Sequence, residues 1–129
     1  ESSHGLIAED ILKSEGITDD DILEAIKYHN SENNGTGERS KKFHFALSSS
    51  ESVSGLISAM ALILPDKSVK KVKVKSLVKR MKETAFARNV SRENIMECEK
   101  IGVELRSFFE IALKGSIRAE EYCQTTSNE

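Results

Sequence analysis

The sequence predicts an all-α protein, folded as a compact bundle of five to seven helices. Three observations lead to this prediction. Apolar residues recur at helical spacing in most of the chain. The 129 residues include one Pro, seven Gly and no Trp, which is typical of helices rather than of a turn-rich β protein. No segment shows the apolar-polar alternation of a strand.

The first two predicted helices are joined by a short turn. Gly16 ends the first helix, as a residue suited to a helix C-terminus. Thr18, with Asp21 three residues later, resembles a capping box at the start of the second helix. Apolar residues define the inner faces of the two helices: Leu6, Ile7, Ile11 and Leu12, then Ile22, Leu23 and Ile26.

Residues 30–40 are polar and contain two glycines. Such a composition predicts a flexible loop without a packed element, one that could close over a site as a lid.

The central element of the chain is an apolar run from Val53 to Leu64, which predicts the most buried helix and ends at Pro65. Glu51 stands at its head. A lone buried carboxylate is costly, so Glu51 is expected either at a solvated helix end or facing a cation. The serines at positions 48–50 indicate either close helix packing or an interruption of the helix.

The second half of the chain predicts three further helices. The first is amphipathic, with an apolar face at 3.6-residue spacing (Val74, Leu77, Val78, Met81, Ala85) and a cationic outer face. Another begins near Ser91 and ends at Gly102, and the last begins near Leu105. One domain is expected over residues 1–122, followed by a polar tail over residues 123–129.

Charge is distributed unevenly along the chain, although the net charge is only -2. Residues 1–38 hold ten acidic residues and two lysines, whereas residues 67–82 hold eight basic residues and no acid. This asymmetry indicates either an anion site or two opposed solvated faces. Nucleic acid is an unlikely partner because no aromatic residues interleave with the basic run.

Compartment is predicted from what the sequence lacks. No stretch reaches the roughly 18 apolar residues that would span a bilayer, and no signal peptide is visible. Neither Cys98 nor Cys123 belongs to a Cys-x-x-Cys motif. A cytoplasmic protein with reduced thiols and no membrane partner is therefore expected. The chain begins with Glu, so an upstream piece could be missing.

Three residues are candidate metal ligands. His4 opens the first predicted helix and His29 closes the second, and two antiparallel helices joined by a short turn bring such ends together. Glu51 could meet them from the third helix, giving two imidazoles and a carboxylate for a divalent cation. In the alternative interpretation, His4 is an exposed terminal residue and His29 a cation at a helix C-terminus. His44 has no partner in the sequence and is expected to be half-buried or solvated.

Several segments resemble one uncharacterised subgroup of predicted metal-dependent phosphohydrolases of the HD superfamily. His4 and His29 match the histidines of two successive helices of that domain. Glu51 to Ile57 resembles its Asp-x-[Leu/Val]-Thr-Gly-Leu-Ile motif. Residues 61–68 match a further motif, Ala-Leu-x-x-Pro-x-Lys-Ser. Residues 74–87 resemble Val-Lys-Ser-x-x-x-Lys-x-x-Lys-x-x-Phe-Ala, although Lys79 and Lys82 each stand one position before the later lysines of that motif. The resemblance covers nearly all of residues 4–119.

The chain also departs from the HD pattern. The superfamily's metal centre uses an early His, a His-Asp dyad and a later Asp, and no His-Asp dyad occurs in this sequence. The later Asp matches Glu51, a longer carboxylate. Two explanations stay open: the N-terminal third of the domain is absent from this chain, or the site is degenerate.

The resemblance implies metal-assisted hydrolysis of a phosphoester or nucleotide, in a centre that is incomplete or inactive in this chain. The implied cofactor is a divalent metal (Mn, Mg, Zn or Fe), which could be absent here. By resemblance, Glu51 would be its last ligand, and His4 and His29 would be auxiliary ligands or phosphate contacts. Lys75 or Lys79 would hold a phosphate oxygen. A solvated helix face is the alternative for these lysines. A degenerate HD-fold module that binds a nucleotide or a protein partner is the alternative function, and a homodimer is open.

Overall fold

The computed structural model describes residues 4–126, with the side chain of Asn33 excepted, and contains helices and no strand over that range. The seven α-helices are α1 (His4–Ser14), α2 (Asp20–Tyr28), α3 (Ser31–Asn34), α4 (Lys42–Leu62), α5 (Val74–Met81), α6 (Arg92–Met96) and α7 (Leu105–Thr126). Two 3₁₀ helices, Val69–Lys71 and Glu97–Ile101, complete the bundle. The predicted all-α class with five to seven helices is confirmed.

Helix α4 is the centre of the bundle. It contacts α2, α5, α6, α7 and both 3₁₀ helices, whereas α1 packs chiefly on α2. The core contains Leu56, Ile57, Leu77, Ile95 and Phe109, each at most 1% exposed. Every described helix that follows α4 therefore packs against it.

The apolar run that ends α4 is less uniformly buried than its composition predicts. Val53, Leu56, Ile57, Met60 and Ala61 are buried. Leu62 and Ile63, at the end of the helix, are 65% and 55% exposed. The helix also runs without interruption through the serines at 48–50, of which Ser48 and Ser49 are fully buried. Of the two alternatives for these serines, close packing is the one observed.

Two helix ends show how local chemistry sets the boundaries. Gly16 adopts a left-handed conformation (φ 85°) after α1, and the Ile17 amide returns to the Leu12 carbonyl at 2.9 Å. The predicted stop at Gly16 is confirmed. The predicted capping box at Thr18 is wrong, because the carboxylate of Asp19 accepts the amides of Asp21 and Ile22 instead.

The segment from 30 to 40 contains a packed element, contrary to the sequence-based prediction. Its first part is the short helix α3, which ends at Gly35 in a left-handed conformation. Its last part carries Arg39, whose side chain is only 6% exposed. The ion pairs and hydrogen bonds of Arg39 provide the anchoring that composition alone did not show. Mobility of the remaining loop stays a prediction.

The predicted polar tail begins within the last helix of the chain. Helix α7 continues through Thr126, so residues 123–126 are its exposed last turn, and residues 127–129 lie outside the described range. Among the described helices, none combines the length and apolar character needed to cross a bilayer.

Candidate functional site

A cavity of about 430 Å³ lies where the start of α1, the end of α2, the middle of α4 and the segment at the start of α6 meet. Its charged and titratable lining consists of His4, His29, Glu32, Glu51 and Glu93. We call it the histidine cavity. The structure thus brings the three predicted metal-ligating residues into one cavity, although 47 positions separate the first from the last in the sequence.

The rest of the lining is polar or small. It is formed by the three carboxamides Asn30, Asn89 and Asn94, by Ser52 and Ser91, and by Gly55 and Val90. Ser91 is the N-cap of α6, since its hydroxyl accepts the Asn94 amide at 3.1 Å. That cap fixes the start of the short helix, and with it the cavity wall formed by Glu93 and Asn94.

The two histidines contact each other directly. The Nε2 atoms of His4 and His29 are 2.9 Å apart, and the rings meet edge to face with centroids 4.9 Å apart. The His29 Nδ1–H donates to the Ile26 carbonyl, because a carbonyl oxygen can only accept. A neutral His29 therefore carries a lone pair on Nε2, and His4 Nε2–H must be the donor between the rings.

Asn30 completes this chain of hydrogen bonds. Its Nδ2 lies 3.3 Å from His4 Nδ1, so its amide N–H donates to the lone pair that Nδ1 carries in the tautomer protonated at Nε2. The order of donors runs from Asn30 to His4, to His29 and to the Ile26 carbonyl. Each ring thus has a defined tautomer, which is what orients histidines at metal or acid-base sites.

Glu51 reaches the cavity from the interior of α4. The side chain is exposed, and its Oε2 accepts the Ser52 hydroxyl at 3.2 Å. Of the two sequence-based alternatives for Glu51, the solvated helix end is wrong, because α4 begins at Lys42 and continues to Leu62. Its carboxylate instead lines a cavity that also contains both histidines.

Two further carboxylates, Glu32 and Glu93, line the cavity and were not predicted. Glu32 belongs to a segment that the sequence favours as a loop, and Glu93 follows a helix cap more than 60 positions after His29. Spacing along the chain therefore gives no signal for either. Asn30 could have been noticed, since it directly follows His29.

The cavity has an acidic electrostatic character. Among the described residues, three carboxylates and no lysine or arginine line it. Burial would raise the pKa of Glu32, but the hydrogen bonds from Arg39, from the backbone and from Asn94, together with the charge of Arg39, outweigh burial, and the pKa lies below the ordinary carboxyl value. Glu32 is therefore ionised at neutral pH. Such a lining attracts cations and repels a free phosphate.

The described residues do not form a complete metal site. Within residues 4–126, no three side chains of His, Cys, Asp or Glu converge closely enough to hold a metal ion together. The two histidines are the close pair. Two nitrogens about 2.0–2.1 Å from one ion, at about 90° to each other, would be separated by about 2.9 Å. The spacing of the pair is therefore compatible with two neighbouring ligands of one octahedral ion.

The two predicted phosphate-binding lysines lie elsewhere. Lys75 and Lys79 are exposed on α5, and Lys79 Nζ is 3.8 Å from the Glu83 carboxylate. Neither is part of the described lining of the histidine cavity. Their role as phosphate contacts stays a prediction.

His44, expected to be half-buried or solvated, is 1% exposed. It stacks on Tyr28 with ring centroids 4.6 Å apart, and its Nε2 is 3.6 Å from the Glu24 carboxylate. It belongs to the packing between α2 and α4 and does not line the cavity.

No family model matches this chain, and neither the curated proteins nor the solved structures yield a match.

Proposed function

We propose that this chain takes part in metal-dependent phosphoester hydrolysis of the HD type, and that the histidine cavity contributes part of its divalent-cation site. The observation that supports this proposal is the convergence of His4, His29 and Glu51 on one acidic cavity. The same three residues correspond to positions of the HD pattern in the sequence resemblance.

The lining fits a hard or borderline divalent cation in its chemistry. Imidazole nitrogens and carboxylate oxygens are ligands of Mn²⁺, Fe²⁺ and Zn²⁺. When bound, such an ion would polarise a phosphoryl oxygen and make a bound water more acidic. His4, His29 and Glu51 are the residues that would hold it. Because only the two histidines are in contact, this chain supplies part of a ligand set.

Hydrogen bonds to these residues support the role proposed for each of them. The Ile26 carbonyl holds His29 with its Nε2 lone pair toward the cavity. The Ser52 hydroxyl restrains the Glu51 carboxylate at 3.2 Å. For His4 also to offer a lone pair at Nε2, its proton must move to Nδ1 and the Asn30 amide must turn its oxygen toward it. That rearrangement opposes cation binding.

A phosphorylated small molecule or nucleotide would need the cation in order to enter the cavity. Glu32, Glu51 and Glu93 repel an anion in its absence. The cavity alone therefore does not constitute a phosphate site. Binding of the phosphorylated substrate should therefore require the cation. An assay with and without the cation can test this dependence.

A second candidate function is favoured by a specific observation. The direct hydrogen bond between His4 and His29 satisfies both rings without a metal. Such an arrangement is expected in a degenerate HD-fold module that has lost hydrolysis and retains binding of a nucleotide or protein partner. The cation affinity of the cavity distinguishes the two candidates.

Titration of the protein with Mn²⁺ and Zn²⁺ tests the proposal. We expect calorimetry to give a dissociation constant nearer millimolar than micromolar, about -4 rather than -8 kcal/mol, because few ligands converge. We expect dilute Mn²⁺ to broaden the imidazole signals of His4 and His29 in NMR spectra before that of His44. Both effects should be lost in Glu51→Ala and retained in Glu110→Ala, an exposed carboxylate on α7.

Three outcomes are decisive. Micromolar or tighter binding that depends on His29 and Glu51 would show a complete site and contradict the incomplete one described above. No selective broadening would refute the metal proposal and leave the binding module. Manganese-dependent hydrolysis of a generic phosphodiester such as bis(p-nitrophenyl) phosphate, lost in Glu51→Ala, would establish the enzyme.

A further inference from the structure

Arg39 bonds to several elements beside the histidine cavity, yet it is not part of the described lining of the cavity. Its side chain is 6% exposed. Nε and Nη2 donate to the two carboxylate oxygens of Glu97 at 2.9 and 3.1 Å, in the forked geometry that only a guanidinium offers. Glu97 follows α6 and lies outside the histidine cavity. The fork thus attaches Arg39 to the α6 side of the bundle.

Another nitrogen of the Arg39 guanidinium donates to the end of α2, on the other side of the cavity from α6. Nη1 donates to the carbonyls of Tyr28 and His29 at 3.0 and 3.3 Å, at the point where α2 ends. Helix C-termini leave such carbonyls without partners inside the helix. The guanidinium satisfies two of them. The backbone of His29 is thereby fixed by Arg39, while its ring is fixed by the Ile26 carbonyl.

Two cavity-lining side chains also depend on the same guanidinium. Nη2 donates to Asn94 Oδ1 at 3.0 Å and to the Glu32 carboxylate. Three lining residues, from the end of α2, from α3 and from α6, therefore contact one side chain that stands behind the cavity wall. The pKa of Arg39 is raised: burial would lower it, and the hydrogen bonds and charges of Glu32 and Glu97 outweigh burial. The charge is permanent.

We infer that Arg39 is the positioning residue of the histidine cavity: it sets the distance between the His29 end of α2 and the Asn94 wall of α6, and so the geometry of the His4–His29 pair. This inference rests on the proposed function in one respect: it takes the histidine cavity as the functional site. A merely structural role would predict lost stability without a specific change at the histidines.

The test uses the imidazole signals of the three histidines in the whole chain, read by long-range ¹H–¹⁵N correlation, which reports tautomer and hydrogen bonding. Arg39→Lys keeps the charge and removes the fork. Glu97 does not line the cavity, and Glu97→Gln removes the carboxylate that receives the fork of Arg39 while it leaves the backbone of α6 unchanged. Leu113→Ala, at a buried position of α7, is the matched control, since no α7 residue is in the described lining.

We expect Arg39→Lys and Glu97→Gln to shift the His4 and His29 signals, and Leu113→Ala to leave them in place at a comparable loss of melting temperature. Should Arg39→Lys fail to fold, Glu97→Gln decides. Unchanged His4 and His29 signals in a folded Glu97→Gln variant would overturn the inference. The readout needs no metal, so absence of Mn²⁺ binding would refute the proposed function and leave this comparison intact.

Discussion

Gly5 allows α1 to lie directly against the end of α2. It is buried, and a Cβ at this position would lie 3.2 Å from the Ile26 carbonyl oxygen, 3.3 Å from Asn34 Nδ2 and 3.4 Å from the Lys27 carbonyl oxygen. Two of the three neighbours are backbone atoms of α2. Asn34 is itself held by its bond to the Lys27 carbonyl at 2.8 Å. The helices must therefore separate slightly to accept a methyl group here.

The effect of Gly5→Ala is the difference between two terms. Overpacking in a well-packed contact costs about 1–3 kcal/mol. Replacing a helical Gly by Ala stabilises the folded state by about 0.5–1 kcal/mol, and by less in the first turn of a helix, where Gly5 lies. We expect a net loss of about 1 kcal/mol. For a domain of this size that is a fall in melting temperature of roughly 4 °C.

Gly115→Ala is the matched control for this substitution. Gly115 lies within α7, and its Cβ would meet nothing within 4 Å. It should gain stability by about 0.5–1 kcal/mol, because only the helix-propensity term remains. Thermal and urea unfolding of the two variants should thus give opposite signs. Because His4 precedes Gly5, the His4 and His29 imidazole signals should shift in Gly5→Ala alone. Equal stabilisation by both substitutions would refute the close contact of α1 with α2.

Two further predictions concern the cavity walls. A Cβ at Gly55 would lie 3.2 Å from Val90 Cγ2. In a double-mutant cycle measured by urea unfolding, Val90→Ala should therefore cost less stability in a Gly55→Ala background, by about 0.5 kcal/mol or more. Additive effects of the two substitutions would contradict the contact. Glu32 has a lowered pKa, because Arg39 outweighs burial. Its contribution to stability is present above the unfolded carboxyl pKa and is lost as pH falls through the folded value. In Glu32→Gln, the melting temperature should therefore fall less steeply than in the original protein as the pH is lowered below about 5. The same dependence of melting temperature on pH in both proteins would contradict this.

The sequence predicted those parts of the fold that depend on local chemistry. The Gly16 stop, the amphipathic α5 and the apolar face of α4 all follow from residues within one or two turns of each other. The prediction failed where a distant contact decides. Thr18 and Asp19 are both good caps, and only the backbone geometry selects Asp19. Leu62 and Ile63 are apolar and exposed, because no described element covers the end of α4.

The part of the candidate site that lies on two successive helices could be predicted from the sequence. His4 and His29 were expected to meet because an antiparallel pair joined by a short turn brings the start of one helix to the end of the next, and their Nε2 atoms are 2.9 Å apart. Glu51 was a candidate because it stands at the head of the apolar run, and the family resemblance indicates the same residue. Its position in the middle of α4 could not be read from the apolar run that follows it.

The remaining wall of the cavity depends on one buried charge, which is the kind of feature that sequence reasoning misses. Arg39 lies in a polar, glycine-containing segment, where a basic residue is ordinarily solvated. A guanidinium at 6% exposure is stable only if its donors are satisfied. Here its acceptors come from α2, α3, α6 and the following 3₁₀ helix. No single segment contains enough of them to reveal the site, so composition predicted a flexible loop where the folded chain has an anchor. The acidic cavity and its anchor are therefore properties of the assembled bundle, whereas the first thirty residues already indicate that His4 and His29 lie close to each other.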